Sequence, residues 1–224
     1  MKLQKAKRRC LERGEIALIQ GPDGEWLSNG QAAWECQCMG LTKENVRAVM
    51  DIKDKDIPDQ FVREVDYRGE DRYTAFYDAK NDILLEDKGL VMVDGIDYLV
   101  LMPQEIEDDR PVYIRKDDLS PVWRTDMKPE YRLRRSEEDG IGRRAQLVAV
   151  CFDLLVCALI APEGRNPNGY LDGEARYGAD RIEQRITELW ALMHGKTVED
   201  MQFDQGWKYM QEHVEEAEGG EEDA

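Results

Sequence analysis

The chain opens on a helical spacing of apolar positions. Leu3, Ala6, Cys10 and Leu11 fall near one face, surrounded by Lys2, Lys5, Lys7, Arg8 and Arg9. This predicts a short basic helix over 2–12, stopped by Gly14. The period then changes. Residues 15–20 alternate, Gly21-Pro22-Asp23-Gly24 is a strong turn, and 25–28 return as a second strand. Asn29-Gly30 marks another tight turn before a strand over 31–38, so three strands form a meander. A short helix follows, with Thr42 as its cap and Val46, Val49 and Met50 at helical spacing.

Residues 51–88 hold twelve acids and read as loops and exposed edges, anchored by Phe61, Val62, Phe76, Tyr77, Ile83 and Leu84. A second hairpin is expected over Leu90–Val93 and Ile96–Met102, turning at Asp94-Gly95 and closed by Pro103. Residues 105–109 are an acidic loop, 112–114 a short strand, 116–119 a turn, and 124–145 polar and irregular. The apolar runs 147–151 and 154–160 fit either a hairpin or a buried helix, with their β-branched content favouring strands. Their outline, two apolar runs closed by Pro162, repeats that of residues 90–103, either as an internal repeat or because hairpins resemble one another. Past a Gly/Asn/Pro loop at 164–173, Ile182, Ile186, Leu189, Trp190 and Met193 form an amphipathic stripe followed by Gly195. Thr197 and Asp200 resemble the capping pair of a second helix bearing Val198, Met201, Trp207, Met210 and Val214.

These elements define an α+β fold of antiparallel meanders and hairpins with short helices and a C-terminal helical pair. The expected organisation is an α+β domain over 1–163, a helical appendage over 164–214 and a disordered acidic tail over 215–224.

Composition adds a charge argument. Of 224 residues, 48 are acidic and 31 are Lys or Arg, for a net charge of −17. Residues 1–13 hold six bases and one acid, and 214–224 hold six acids and no base. The excess of acid therefore belongs to the stretch between them. Such a surface repels nucleic acid and anionic lipid, so direct nucleic-acid binding is expected only through the basic N-terminal helix. No apolar run reaches the roughly 18 residues of a membrane span, and the charged N-terminus has no signal-peptide pattern. A cytoplasmic protein is expected. The five cysteines, Cys10, Cys36, Cys38, Cys151 and Cys157, then read as reduced thiols rather than a disulfide framework.

Catalytic patterns are missing. The two histidines, His194 and His213, fall on C-terminal helices far in sequence from the cysteines, so no nucleophile–base pairing is readable. Cys36-x-Cys38 puts two thiols on one strand face but lacks two further zinc ligands at recognisable spacing. There is no phosphate-binding glycine motif. Asp172, Glu174 and Asp180 are the carboxylates best placed for chemistry, yet helix capping and dipole matching account for them. No catalytic residue, cofactor or metal ligand is assigned. Residues suited to partner contact are Trp26, Asn29 and Trp34 of the first meander, Glu105, Glu107, Asp108 and Asp109 of the acidic loop, and Trp190 and Trp207 of the C-terminal helices.

The run Trp26-Leu-Ser-Asn-Gly-Gln-Ala-Ala-Trp34 resembles a hairpin of bacterial sliding clamps, and hairpins ending in proline are similar to clamp modules. The likeness covers about ten residues, and the chain is too short for a three-module clamp subunit. In general style the chain also resembles small uncharacterised proteins of phages and mobile elements. The function expected is a non-enzymatic protein-binding accessory, encoded by a phage or mobile element and acting through an acidic surface and aromatic patches; self-association is a further possibility. Two rivals stand beside it: an acidic DNA mimic that inhibits a host nuclease or defence system, and a clamp-like replication accessory.

Overall fold

The computed structural model describes residues 1–21, 24–36, 39–66, 82–104, 110–135, 146–153, 155–164 and 178–193. It divides into two compact units. The first comprises 1–92 and 96–163; the second comprises the hairpin tip 93–95 and residues from Gly164 onward.

Helix α1 spans Leu3–Arg13 and ends at Gly14, whose φ of 72° lets its backbone N–H return to the Cys10 carbonyl. Strands β1 (Ile16–Gln20), β2 (Glu25–Ser28) and β3 (Ala32–Glu35) form the expected meander. Helix α2 covers only Val46–Met50. Thr42 closes the turn that leads into it: the Thr42 N–H donates to Asn45 Oδ1 at 2.8 Å, the Asn45 N–H to Thr42 Oγ1 at 3.3 Å and the Val46 N–H to the Thr42 carbonyl at 2.9 Å, a reciprocal capping pair one turn ahead of the regular helix.

Two strands lie where loops were expected. Strand β4 (Val62–Asp66) pairs in parallel with β1, Ile16 opposite Val62. Strand β8 (Glu130–Arg135) lies between β5 (Ile83–Val93) and β9 (Gln146–Phe152). Both missed strands are rich in charge. Apolar Val62 of β4, and Tyr131 and Leu133 of β8, face the core; the other residues of the two strands are Arg, Glu or Asp, except for half-buried Val65. The remaining strands are β6 (Ile96–Pro103), β7 (Val112–Arg115) and β10 (Leu155–Ile160). Residues 147–160 thus form a hairpin, β9–β10, and not a helix. At 116–119 the chain makes a one-turn helix, α3 (Lys116–Leu119), in place of an open turn. At the β5–β6 tip, Asp94 (φ 52°) and Gly95 (φ 77°) both adopt positive φ, as the two-residue turns that match strand twist demand.

All ten strands join one sheet in the order β4-β1-β2-β3-β10-β9-β8-β5-β6-β7, antiparallel except for β1 with β4. One apolar core draws on every strand, from Val62 of β4 to Val112 and Ile114 of β7, and on Ala6 and Cys10 of α1 and Val46 and Met50 of α2. The sheet coils around this core. The Trp34 indole N–H of β3 donates to the Asp118 carbonyl of α3, just past β7, at 2.7 Å, and the Glu163 N–H beyond β10 donates to the Tyr113 carbonyl of β7 at 2.8 Å. Strands at the middle and the edge of the sheet therefore meet across its inner face. A smaller cluster, including Trp26, Ala33, Ala149, Cys151 and Leu159, occupies the opposite face. Register accounts for the division: Leu18, Leu27, Trp34 and Ala158 line up on the inner face, and Ile19 and Trp26 on the other.

In the second unit, α4 (Gly178–Met193) follows the expected stripe. Ala179, Ile182, Ile186 and Ala191 are buried, and Arg181 pairs with Asp94 of the hairpin tip. The expected second C-terminal helix and the acidic tail lie outside the described residues. Among those described, no helix is long and apolar enough to cross a membrane.

Candidate functional site

The first meander does not present its aromatic residues. Trp26 and Trp34 are both fully buried, and they lie on opposite faces of the sheet. Trp26 is paired with Glu35, so its neighbour Trp34 points the other way. Asn29 is buried as well. Its Oδ1 accepts the N–H groups of Gln31 at 3.1 Å and Ala32 at 2.8 Å, and its Nδ2 donates to the Arg9 carbonyl at 3.4 Å. These three residues hold the fold together and form no exposed partner patch. Tryptophan near a turn reads alike in sequence whether it faces solvent or core; only register separates the two. Glu105, Glu107, Asp108, Asp109 and Trp207 lie outside the described residues, and of Trp190 only the backbone, within α4, is described.

The thiols are held in their neutral form. Burial pushes Cys10 and Cys36 up to about 12 and Cys151 up to about 11, against the weaker opposing pull of Arg9 on Cys10 and of Arg132 on Cys151. Burial also raises Cys157. A thiol in this state is a poor nucleophile and a poor metal ligand near neutrality. Cys38, His194 and His213 lie outside the described residues, as do Asp172 and Glu174. Asp180 sits in the first turn of α4, where the helix dipole favours a carboxylate. Among the described residues no group of three or more His, Cys, Asp or Glu is placed to hold a metal ion.

Two ion pairs are sunk into the first unit. Asp118 Oδ1 accepts from Arg9 Nε at 2.9 Å and Nη2 at 2.6 Å, with both side chains buried. Asp118 Oδ2 has no hydrogen-bond partner. Burial pushes the Asp118 carboxyl up from the usual range, outweighing the attraction of Arg9. On the other face of the sheet Arg134 grips Asp82 through Nε (3.1 Å to Oδ1) and Nη2 (2.9 Å to Oδ2). Arg9 with Asp118 clamps α1 to α3, and Arg134 with Asp82 ties β8 to the start of β5. Both are fixed structural pairs.

What remains open to solvent is of two kinds. On β5, Leu90 (51% exposed) and Met92 (62% exposed) project from the same side of the strand. A cleft of about 560 Å³ is lined by Asp87, Trp123, Arg124, Asp126, Met127 and Tyr131, among others. Trp123 is 39% exposed, whereas Tyr131 is only 2% exposed and its hydroxyl has no hydrogen-bond partner. Burial, aided by the Asp87 charge, keeps that phenol protonated well above its usual range, so it can act only as a neutral O–H donor or acceptor. No sequence signal marked this cleft. Tyr131 falls in the stretch read as irregular, 124–145, and Trp123 just before it in residues given no element; it is the strand β8 that holds Tyr131 in place.

Comparison with known proteins finds no matching family model, no similar curated protein and no similar solved structure.

Proposed function

We propose that the protein is a non-enzymatic, protein-binding accessory that engages its partner through exposed apolar side chains set in an acidic surface. The observation that carries this reading is the Leu90–Met92 pair. Two large apolar side chains lie side by side on one strand of a chain with net charge −17, where a purely solvated strand face would be polar. Neutral thiols and two ion pairs buried within the fold leave those groups poorly placed for chemistry, which also favours binding over catalysis. The DNA-mimic alternative is less well supported. Arg47 is placed between Asp54 (2.7 Å) and Asp59 (3.1 Å), and Lys7 meets Asp51 at 3.1 Å, so the acids of 51–59 are broken up by cations rather than arrayed like phosphates. An origin in a phage or mobile element rests on the sequence resemblance alone.

The test is affinity capture from the native host, comparing the native chain with a Leu90→Glu/Met92→Glu variant. Partner proteins retained by the first and lost by the second are expected. Equal recovery by both chains, or a hydrolase or transferase activity abolished by one substitution, overturns the reading.

A further inference from the structure

Strand β5 outruns its neighbour. It spans eleven residues, Ile83–Val93, yet β8 meets it only over Ile83–Leu85. Beyond that point β6 is its one strand neighbour among the described residues. Backbone geometry identifies the groups left over. The two-residue turn at Asp94-Gly95 joins Val93 to Ile96. Backbone groups alternate in direction along an antiparallel strand. Val93 and Val91 therefore turn theirs toward β6, and Met92 and Leu90 turn theirs away from it. The Gly89 N–H, next along, is taken by Asp87 Oδ1 at 2.8 Å. The open edge is thus Leu90–Met92.

The same two residues carry the exposed side chains. Leu90 and Met92 are more than half exposed on one face, while Val91 between them is buried on the other. Unpaired N–H and C=O groups beside exposed apolar side chains are a template for one more strand. Alternation restricts the register. Outward groups meet only outward groups, so residues 90 and 92 pair with residues 90 and 92 of an incoming copy. An antiparallel two-fold about Val91 sets Leu90 opposite Met92 of the second copy, and Met92 opposite its Leu90. Side chains directly opposite share a face, so the four form one apolar patch and cover one another. Both halves are identical, as a closed two-fold contact requires, and pairing uses up this edge on each chain. A foreign strand must bring an apolar pair at the same spacing; a second copy carries it already.

We propose that β5 pairs with β5 of a second copy along Leu90–Met92, continuing the sheet across a two-fold axis at Val91. The proposal rests on the protein-binding reading above and names the partner at that surface. Two side chains per copy place the contact at the small, transient end of interfaces. Two chains of net charge −17 also repel each other. Exposed charges are largely screened beyond about 8 Å at physiological salt. The dimer is therefore weak, forms at high concentration and tightens with added salt, whereas a contact with a basic partner loosens.

The test is sedimentation equilibrium of the full-length protein from about 10 μM to 1 mM, a range that spans weak association, at low and high salt. The average mass should climb from one chain toward two, and further at high salt. Amide exchange at Leu90 and Met92 should slow as concentration rises, with Val91 unchanged. Leu90→Glu and Met92→Lys should each weaken dimerisation about tenfold or more, and leave the melting temperature of the dilute protein within about 2 °C because both side chains are exposed. Mixed together, the two variants should pair with each other about tenfold more tightly than either pairs with itself. The register sets the introduced carboxylate against the introduced ammonium and keeps Met92 of one chain against Leu90 of the other. A mass of one chain at the highest concentration, growth beyond two chains, a dimer loosened by salt, or no preference in the mixture overturns the proposal. If the chain stays monomeric while host proteins are captured through Leu90 and Met92, the second copy falls as the occupant and the protein-binding reading stands. If the chain dimerises as described and host capture is indifferent to both residues, the dimer stands and the heterologous partner is the part that fails.

Discussion

Replacing Arg9 with methionine removes a guanidinium from the core and leaves the Asp118 carboxyl there without its cation. Methionine keeps much of the aliphatic stem, so lost packing is small. The loss is electrostatic: the two hydrogen bonds to Asp118, of 2.9 and 2.6 Å, and the one to Glu12 vanish, and a carboxyl already pushed up by burial loses the cation that held it down. Removing one partner of a buried pair costs about 3–5 kcal/mol. For a chain of this size each kcal/mol lowers the melting temperature by roughly 2–4 °C, so Arg9→Met should melt some 6–20 °C lower. Adding Asp118→Asn removes the stranded charge and should recover much of the loss, because a pair replaced by uncharged groups is often near neutral. The sign of the pH dependence follows from the direction of the shift. A carboxyl whose pKa is raised by folding holds its proton more tightly when folded than in the unfolded chain, where aspartate titrates near about 3.9. Ionisation therefore costs stability as pH rises from there through the folded value. Arg9→Met enlarges that shift, so its deficit should be greatest at neutral pH and shrink toward pH 4. Urea unfolding of native, single and double variants at pH 4, 5.5 and 7 measures all of this. A single-variant loss under about 1 kcal/mol at pH 7, or a deficit that grows on acidification, refutes the reasoning.

Two further outcomes follow from the same unit. Asn29→Ala should cost about 2 kcal/mol in urea unfolding, since the Ala32 N–H is buried and loses its acceptor while the Gln31 N–H is only partly buried; an unchanged midpoint would show that the backbone turn holds without the side chain. Cys10 and Cys36 should resist an aromatic disulfide reagent at pH 8 in the native protein and react on unfolding, because burial holds both thiols near 12; rapid native labelling at either position contradicts this.

Local pattern made much of the fold legible. The N-terminal helix and its glycine stop, the first meander, both later hairpins and the α4 stripe all follow from short-range spacing and turn chemistry. The strands β4 and β8 did not, for one physical reason. Charge interrupts both: β4 has only Val62 and Val65, three apart and so on opposite faces, Leu133 of β8 stands between Arg132 and Arg134, and each is made a strand by partners far away in the chain. Parallel pairing of β4 with β1 leaves no turn signature. The exposure of the tryptophans was hidden for a related reason. It depends on register across a sheet, so Trp26 and Trp34 looked like a patch and became core, while Trp123, outside every expected element, is the partly exposed one.

The seam between β3 and β10 joins residues made far apart in time. Trp34 lies opposite Ala158, 124 residues later. At about 5–20 residues per second, β3 waits roughly 6–25 s for its neighbour during synthesis. Throughout that interval Ala32–Glu35 is an open strand edge with an aromatic side chain at its centre, the kind of edge on which chains stick to one another. A nascent chain released before residue 160 would keep that edge, and the order of translation itself becomes a hazard that chaperones or slow, dilute expression must cover.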